Sequence, residues 1–222
     1  MKLSDIKDRL NPKFYDVLTL EGIDSLRPAQ EKAVRLGLLD GKNMLVCTPT
    51  ASGKTLVAEL AMINSILNKG VKAVYVVPLK ALATEKFKEF KRKYAHLLKI
   101  AISIGDFDSN DAYLMNYDLI ITTSEKFDSL IRHSAPWLAM VQVVVIDEIH
   151  LLNDVSRGPT LEVLITVLNH ILKKVQIIGL SATIGNPREL ASWLNAELVI
   201  DYWRPVKLRK GILTNEKIEF FD

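Results

Sequence analysis

The sequence predicts an α/β domain: a mostly parallel sheet with helices on both faces. Short apolar runs rich in β-branched residues recur at 43–48, 71–77, 100–104, 118–122, 141–146, 175–180 and 197–200. Several are continuous rather than alternating, the pattern of strands buried on both faces. Stretches with helical spacing separate them, and alternating strands and helices imply parallel pairing through right-handed crossovers. Such sheets gather their functional loops at the carboxyl ends of the strands.

The first run leads through a short loop into 55–68, where Leu56, Leu60, Ile63 and Leu67 form one helical stripe. The second leads into 79–94, which sets Leu82, Phe87 and Phe90 among lysines. The fifth is followed by 159–173, carrying Leu161, Leu164, Ile165 and Leu168. Asn186-Pro187-Arg188-Glu189 has the form of a helix start, with Asn as N-cap, Pro at the first position and Glu reaching back. Beyond about residue 201 the pattern thins, and Tyr202-Trp203-Arg204-Pro205 breaks the chain. The expected division is a domain over 1–201 and a linker over 202–222.

A length of 222 residues suits one large domain or two small ones. With 49% hydrophobic and 25% charged residues the composition is that of a soluble globular protein. No apolar run reaches the roughly 20 residues that span a bilayer. Acidic Asp5 and Asp8 stand where a signal peptide needs an apolar stretch, so a cytoplasmic protein with no membrane partner is expected. Cys47, the single cysteine, excludes an internal disulfide and reads as a packed core residue. The four histidines show no metal-ligand spacing with it, which predicts no zinc site. A net charge of +3 decides little, but 69–99 holds nine Lys or Arg against Glu85 and Glu89. That run fits either a phosphate backbone or a solvated helix face.

Thr48-Pro49-Thr50-Ala51-Ser52-Gly53-Lys54-Thr55 follows a strand and opens a helix, the context of a phosphate-binding loop. Exposed amides of Thr50, Ala51, Ser52 and Gly53 and the helix N-terminus attract an anion. Lys54 is expected to reach the β- and γ-phosphates of ATP, and the Thr55 hydroxyl to hold Mg²⁺. Thr48 departs from the usual first-position Gly and is bulky there.

The run at 141–146 ends in Asp147-Glu148-Ile149-His150. Two carboxylates at the end of an apolar strand are costly unless a cation compensates them, and Mg²⁺–ATP does so. Asp147 is expected to hold the metal, through water, and Glu148 to orient and deprotonate the attacking water. His150 has two readings: a link from the nucleotide site to the loop after the next strand, or a hydrogen-bonded structural histidine.

Together these segments resemble superfamily 2 DExH-box helicases. Lys54 and Thr55, then Asp147-Glu148-Ile149-His150, then Ser181-Ala182-Thr183 stand in the order and approximate spacing of motifs I, II and III. Leu26-Arg27-Pro28-Ala29-Gln30 resembles the Q motif, where Gln30 reads the adenine edge. Pro78-Leu79-Lys80-Ala81-Leu82-Ala83 resembles motif Ia. Gly105-Asp106-Phe107-Asp108 and Thr122-Thr123-Ser124-Glu125-Lys126 resemble the next motifs of the strand-binding face. Arg157-Gly158-Pro159-Thr160-Leu161-Glu162 and Arg204-Pro205-Val206 narrow the likeness to the superkiller-type branch, and within it to the archaeal Hjm-type DNA helicases.

The resemblance implies a first RecA-like P-loop NTPase domain that uses ATP and Mg²⁺. Its implied catalytic groups are Lys54, Asp147 and Glu148. His150, Ser181 and Thr183 then couple the nucleotide to the strand-binding face, and Pro78, Lys80, Thr122, Thr123, Ser124 and Arg157 contact single-stranded or forked DNA. It also implies 3′ to 5′ unwinding, and a second RecA-like domain with arginine fingers as partner of this one in the same polypeptide. No match to that second domain stands in these residues, so the chain reads as one half of a motor, inactive or nearly so by itself. Two other functions remain open: an RNA-remodelling ATPase of the same branch, and a nucleic-acid-binding module that does not hydrolyse ATP. Contacts from such a domain go mainly to the backbone, which does not separate DNA from RNA.

Overall fold

The apolar runs form seven strands: β1 (Met44–Cys47), β2 (Lys72–Val77), β3 (Ile100–Ser103), β4 (Leu119–Thr123), β5 (Val141–Ile146), β6 (Gln176–Ser181) and β7 (Glu197–Ile200). The structure, a computed structural model, describes residues 1–105, 111–172, 174–206, 210–214 and 217–221. The strands lie in the order β3-β4-β2-β5-β6-β1-β7, with every pairing parallel.

Continuous hydrophobicity follows from burial on both sides. Ala73, Tyr75 and Val77 of β2 enter one core with Val143 and Val145 of β5, while Val74, Val76, Val144 and Ile146 enter the other. The first core is covered by α1 (Pro12–Leu20), α2 (Pro28–Arg35), α3 (Lys54–Lys69) and α4 (Lys80–Tyr94), with Phe14, Leu60 and Phe90 fully buried. The second is covered by α5 (Ser124–Arg132), α6 (Gly158–Ile171) and α7 (Pro187–Trp193), around Phe127, Trp137 and Leu164.

The helix starts have local causes. Asn11 caps α1 by accepting from the Lys13 amide at 3.1 Å, with Pro12 at the first position. At α7 the expected Pro187 holds the first position, but Asn186 Nδ2 donates to Glu189 Oε2 at 3.3 Å instead of capping a backbone amide. At α6, Gly158 is required by contact: a Cβ there would stand 2.2 Å from the Leu152 carbonyl oxygen. Beyond β7, Lys210–Thr214 (β8) and Lys217–Phe221 (β9) pair as an antiparallel hairpin, within the stretch the sequence pattern leaves as a linker. Among the described residues no helix is long and apolar enough to cross a membrane.

Strand order positions the site. β4, β2, β5, β6 and β1 are consecutive neighbours, and their carboxyl ends carry 122–126, 78–83, 147–150, 181–183 and 48–55 respectively. Their ends are level, since Val77 pairs with Thr123, Val76 with Ile146, and Cys47 with Ser181.

Candidate nucleotide and strand-binding site

The phosphate loop closes through Gly53, whose φ of 92° is left-handed and precedes the first turn of α3. A side chain there is excluded twice: by that φ, and because its Cβ would lie 2.5 Å from Gln30 Nε2. Thr48 is accommodated by turning inward, where its Oγ1 shares a 2.7 Å hydrogen bond with Ser52 Oγ. Lys54 Nζ donates to the Ser181 carbonyl at 3.1 Å and the Thr48 carbonyl at 3.4 Å. The ammonium therefore bridges motif I to the end of β6, on neutral acceptors that a phosphate oxygen outcompetes.

Gln30 is buried, with Nε2 donating to the Gly53 carbonyl at 2.9 Å and Oε1 accepting from the Arg27 amide at 2.8 Å. An amide has two donors and two acceptor sites, so each end retains capacity for a base edge. A cavity of about 390 Å³ opens beside it, lined by the 22–25 loop, Arg27, Gln30, Gly53, Thr55 and the first turns of α3. Another, of about 530 Å³, lies at the amino ends of the strands by Lys42, Asn43 and Asn195, away from every motif.

At the acidic box, Asp147 Oδ2 accepts from Tyr75 Oη at 2.7 Å and Oδ1 from the Glu148 amide at 3.0 Å. Burial, and then the Asp147 carboxylate, push the Tyr75 phenol well above its ordinary pKa, so it stays a donor. Lone pairs remain on both carboxylate oxygens for water around a cation. The Asp147 carboxylate and the Thr55 hydroxyl are both oxygen donors, the chemistry Mg²⁺ requires.

Glu148 adopts φ 53°, ψ 42°, a left-handed conformation uncommon outside glycine. Its Oε2 lies 3.3 Å from His150 Nδ1, and the Ala182 amide lies 3.4 Å from the same nitrogen. One nitrogen cannot serve both: a proton on Nδ1 favours Glu148, and a lone pair favours Ala182. The imidazole thus stands between motif II and motif III. Ser181 is buried and Thr183 exposed. Burial pushes the Cys47 thiol up to about 11, as its reading as a core residue requires.

Lys80 is exposed at the start of α4, and Pro78, Ser124 and Arg157 line one narrow cleft with Asp147 and Glu148. The direct strand contacts expected of Thr122 and Thr123 are narrowed, because both side chains are buried. Thr122 Oγ1 donates to the Thr123 carbonyl at 3.4 Å, and Thr123 Oγ1 caps α5 by accepting from the Lys126 amide at 3.4 Å. They shape the strand end and the start of α5, where the Ser124 side chain is buried as well. Of the 105–108 motif, residues 106–108 lie outside the described residues. Four of the nine basic residues at 69–99 are engaged in internal polar contacts: Lys72 is buried against the Met115 and Tyr117 carbonyls, Arg92 pairs with Glu21, and Lys86 and Lys93 pair with Glu89.

Four contacts escaped the sequence reading. Arg27 Nη1 donates to the Ala51 carbonyl at 3.0 Å while its guanidinium lies 5.3 Å from the Trp203 ring centroid. Tyr75 holds Asp147, and Lys86 Nζ reaches Thr55 Oγ1 at 3.2 Å. Only a tyrosine among valines on β2, and an arginine within the Q-motif segment, hinted at the contacts of Tyr75 and Arg27.

Residues 27–190 match the family model described as DEAD/DEAH box helicase. The chain is 54% identical over 212 residues to the ATP-dependent DNA helicase Hel308 of Pyrococcus horikoshii, covering 96% of this chain and 29% of that protein. It is 58% identical over 217 residues to the ATP-dependent DNA helicase Hel308 of Methanocaldococcus jannaschii, covering 95% and 18% respectively. Among solved structures, the DUF1998 helicase MrfA bound to DNA and AMPPNP superposes with a TM-score of 0.76 at 28% identity, covering 87% of this chain and 29% of that one. The chain thus spans less than a third of the length of these relatives.

Proposed function

Since this chain belongs to the DEAD/DEAH box helicase family, we propose that it is the first, ATP-binding motor domain of an ATP-dependent DNA helicase that unwinds forked DNA. The observation that carries this is the single sheet edge on which the phosphate loop, the acidic box and Ser181-Ala182-Thr183 lie side by side, with Lys54 bridging the first to the third. The choice of DNA over RNA is supported by the curated relatives' names. Residues 1–201 form the motor unit in this reading, and 202–222 lead toward a second RecA-like domain.

The amides of Thr50, Ala51, Ser52 and Gly53 cradle the phosphates, Lys54 neutralises them, and Gln30 reads the adenine. Thr55 and Asp147 hold Mg²⁺, which when bound neutralises the charge developing on the transferred phosphoryl. Glu148 takes the proton of the attacking water, and His150, Ser181 and Thr183 pass the state of the site to the strand-binding edge. Calorimetric titration with Mg²⁺–ADP tests the site. Lys54→Ala removes charge-assisted bonds to phosphate and is expected to weaken binding at least about tenfold. Equal affinity in the two proteins rejects the assignment.

On the strand side, the accessible residues Lys80, Arg157 and Pro78 form the contact surface, with Ser124 buried at the cleft they border. Single-strand affinity falls with salt by a logarithmic slope of about 0.7 per neutralised phosphate. Lys80→Ala combined with Arg157→Ala is therefore expected to weaken binding and flatten that slope by about 1.4. An unchanged slope removes these two residues from the surface.

A further inference from the structure

Thr55 Oγ1 accepts a hydrogen bond from Lys86 Nζ at 3.2 Å, across the gap between the phosphate loop and the second turn of α4. Lys86 is nearly enclosed, with 15% of its side chain exposed, and pairs with Glu89 at 2.9 Å. Glu89 is held in turn by Lys93 at 3.0 Å, and Lys93 by the buried Glu59 at 3.0 Å, which also accepts from Tyr94 Oη at 2.5 Å. Lys86 is therefore the end of an ordered chain of charges, placed by packing on the hydroxyl that the nucleotide reading gives to the metal.

A hydroxyl oxygen has two lone pairs, and the ammonium already engages one. An ammonium and a divalent cation on the same oxygen repel strongly in a half-buried site. The two cations therefore exclude each other at Thr55. Glu89 offers Lys86 a partner without Thr55, so the ammonium can withdraw without being stranded.

We propose that Lys86 is a positioning residue that engages the Thr55 hydroxyl and yields it to the divalent cation. This rests on the reading of Thr55 as a metal-holding residue. The test is the ADP dissociation constant in Mg²⁺ and in EDTA, for the parent chain, Lys86→Met, and Lys86→Met with Glu89→Gln, which also removes the carboxylate that Lys86 pairs with. The ratio of the two constants cancels a general loss of packing, and the double variant, which loses one charge of each sign, controls for the change in net charge. Both variants are expected to raise the advantage conferred by Mg²⁺ about tenfold, the worth of one charge-assisted hydrogen bond. A ratio unchanged or lowered in both overturns the inference. A parent chain that binds ADP in neither buffer overturns the nucleotide-site reading beneath it instead.

Discussion

Glu148→Gln, in a polypeptide that joins this domain to a second motor domain, is expected to bind nucleotide as the parent does and to hydrolyse it roughly 10²- to 10⁴-fold more slowly, the range that general-base catalysis supplies. The substitution is nearly isosteric. It leaves the left-handed backbone at residue 148 as costly as before, leaves Asp147 held by Tyr75 and its own following amide, and leaves the phosphate loop untouched. What disappears is a carboxylate able to take a proton. The other loss, the contact with His150, lies between side chains 36% and 30% exposed and is worth about 1 kcal/mol at most. Single-turnover hydrolysis beside equilibrium nucleotide binding separates the outcomes. If affinity and turnover fall by the same factor, Glu148 holds the strand end in shape and the base lies elsewhere.

The sequence carried the sheet because burial on both faces leaves a continuous trace: all seven runs became strands with ends shifted by at most about one residue. The nucleotide motifs were legible because phosphate binding constrains neighbouring residues, glycine beside lysine beside threonine, within one turn of chain. The strand-binding face was less so. Thr122 and Thr123 stand next to each other at the end of β4, yet whether a hydroxyl there meets solvent or caps the following helix depends on what packs above it. Lys86 on Thr55, Arg27 on Ala51 and Tyr75 on Asp147 join residues 24 to 72 positions apart. Such contacts are set by packing, and no local pattern announces them. The basic run shows the same limit, since Glu59 and Glu21, which take up Lys93 and Arg92, come from other elements.

The 222-residue chain by itself is expected to fold, to bind Mg²⁺–ADP, and to turn ATP over 10³- to 10⁵-fold more slowly than a polypeptide that also carries the second motor domain. Folding follows from the two cores, each closed by helices over its own face of one sheet. Binding follows from the phosphate loop, which is complete within residues 48–55. Turnover is a different matter, because phosphoryl transfer depends on positioning and on stabilising the charge of the transition state, and an arginine finger supplies 10³ to 10⁵ of the rate. Arg157 lines the cleft beside Asp147 and Glu148, but the strand-binding reading assigns it to the other ligand. Strand separation is expected to fail for a second reason: translocation needs two bodies closing and opening around the nucleotide, and one sheet has nothing to close against. Steady-state ATPase with saturating single-stranded DNA, run on this chain and on the longer polypeptide at equal concentration, makes the comparison. Turnover within tenfold of the longer protein would mean that the site carries its own charge-stabilising group, and Arg157→Ala in the isolated chain would then be the first place to look for it.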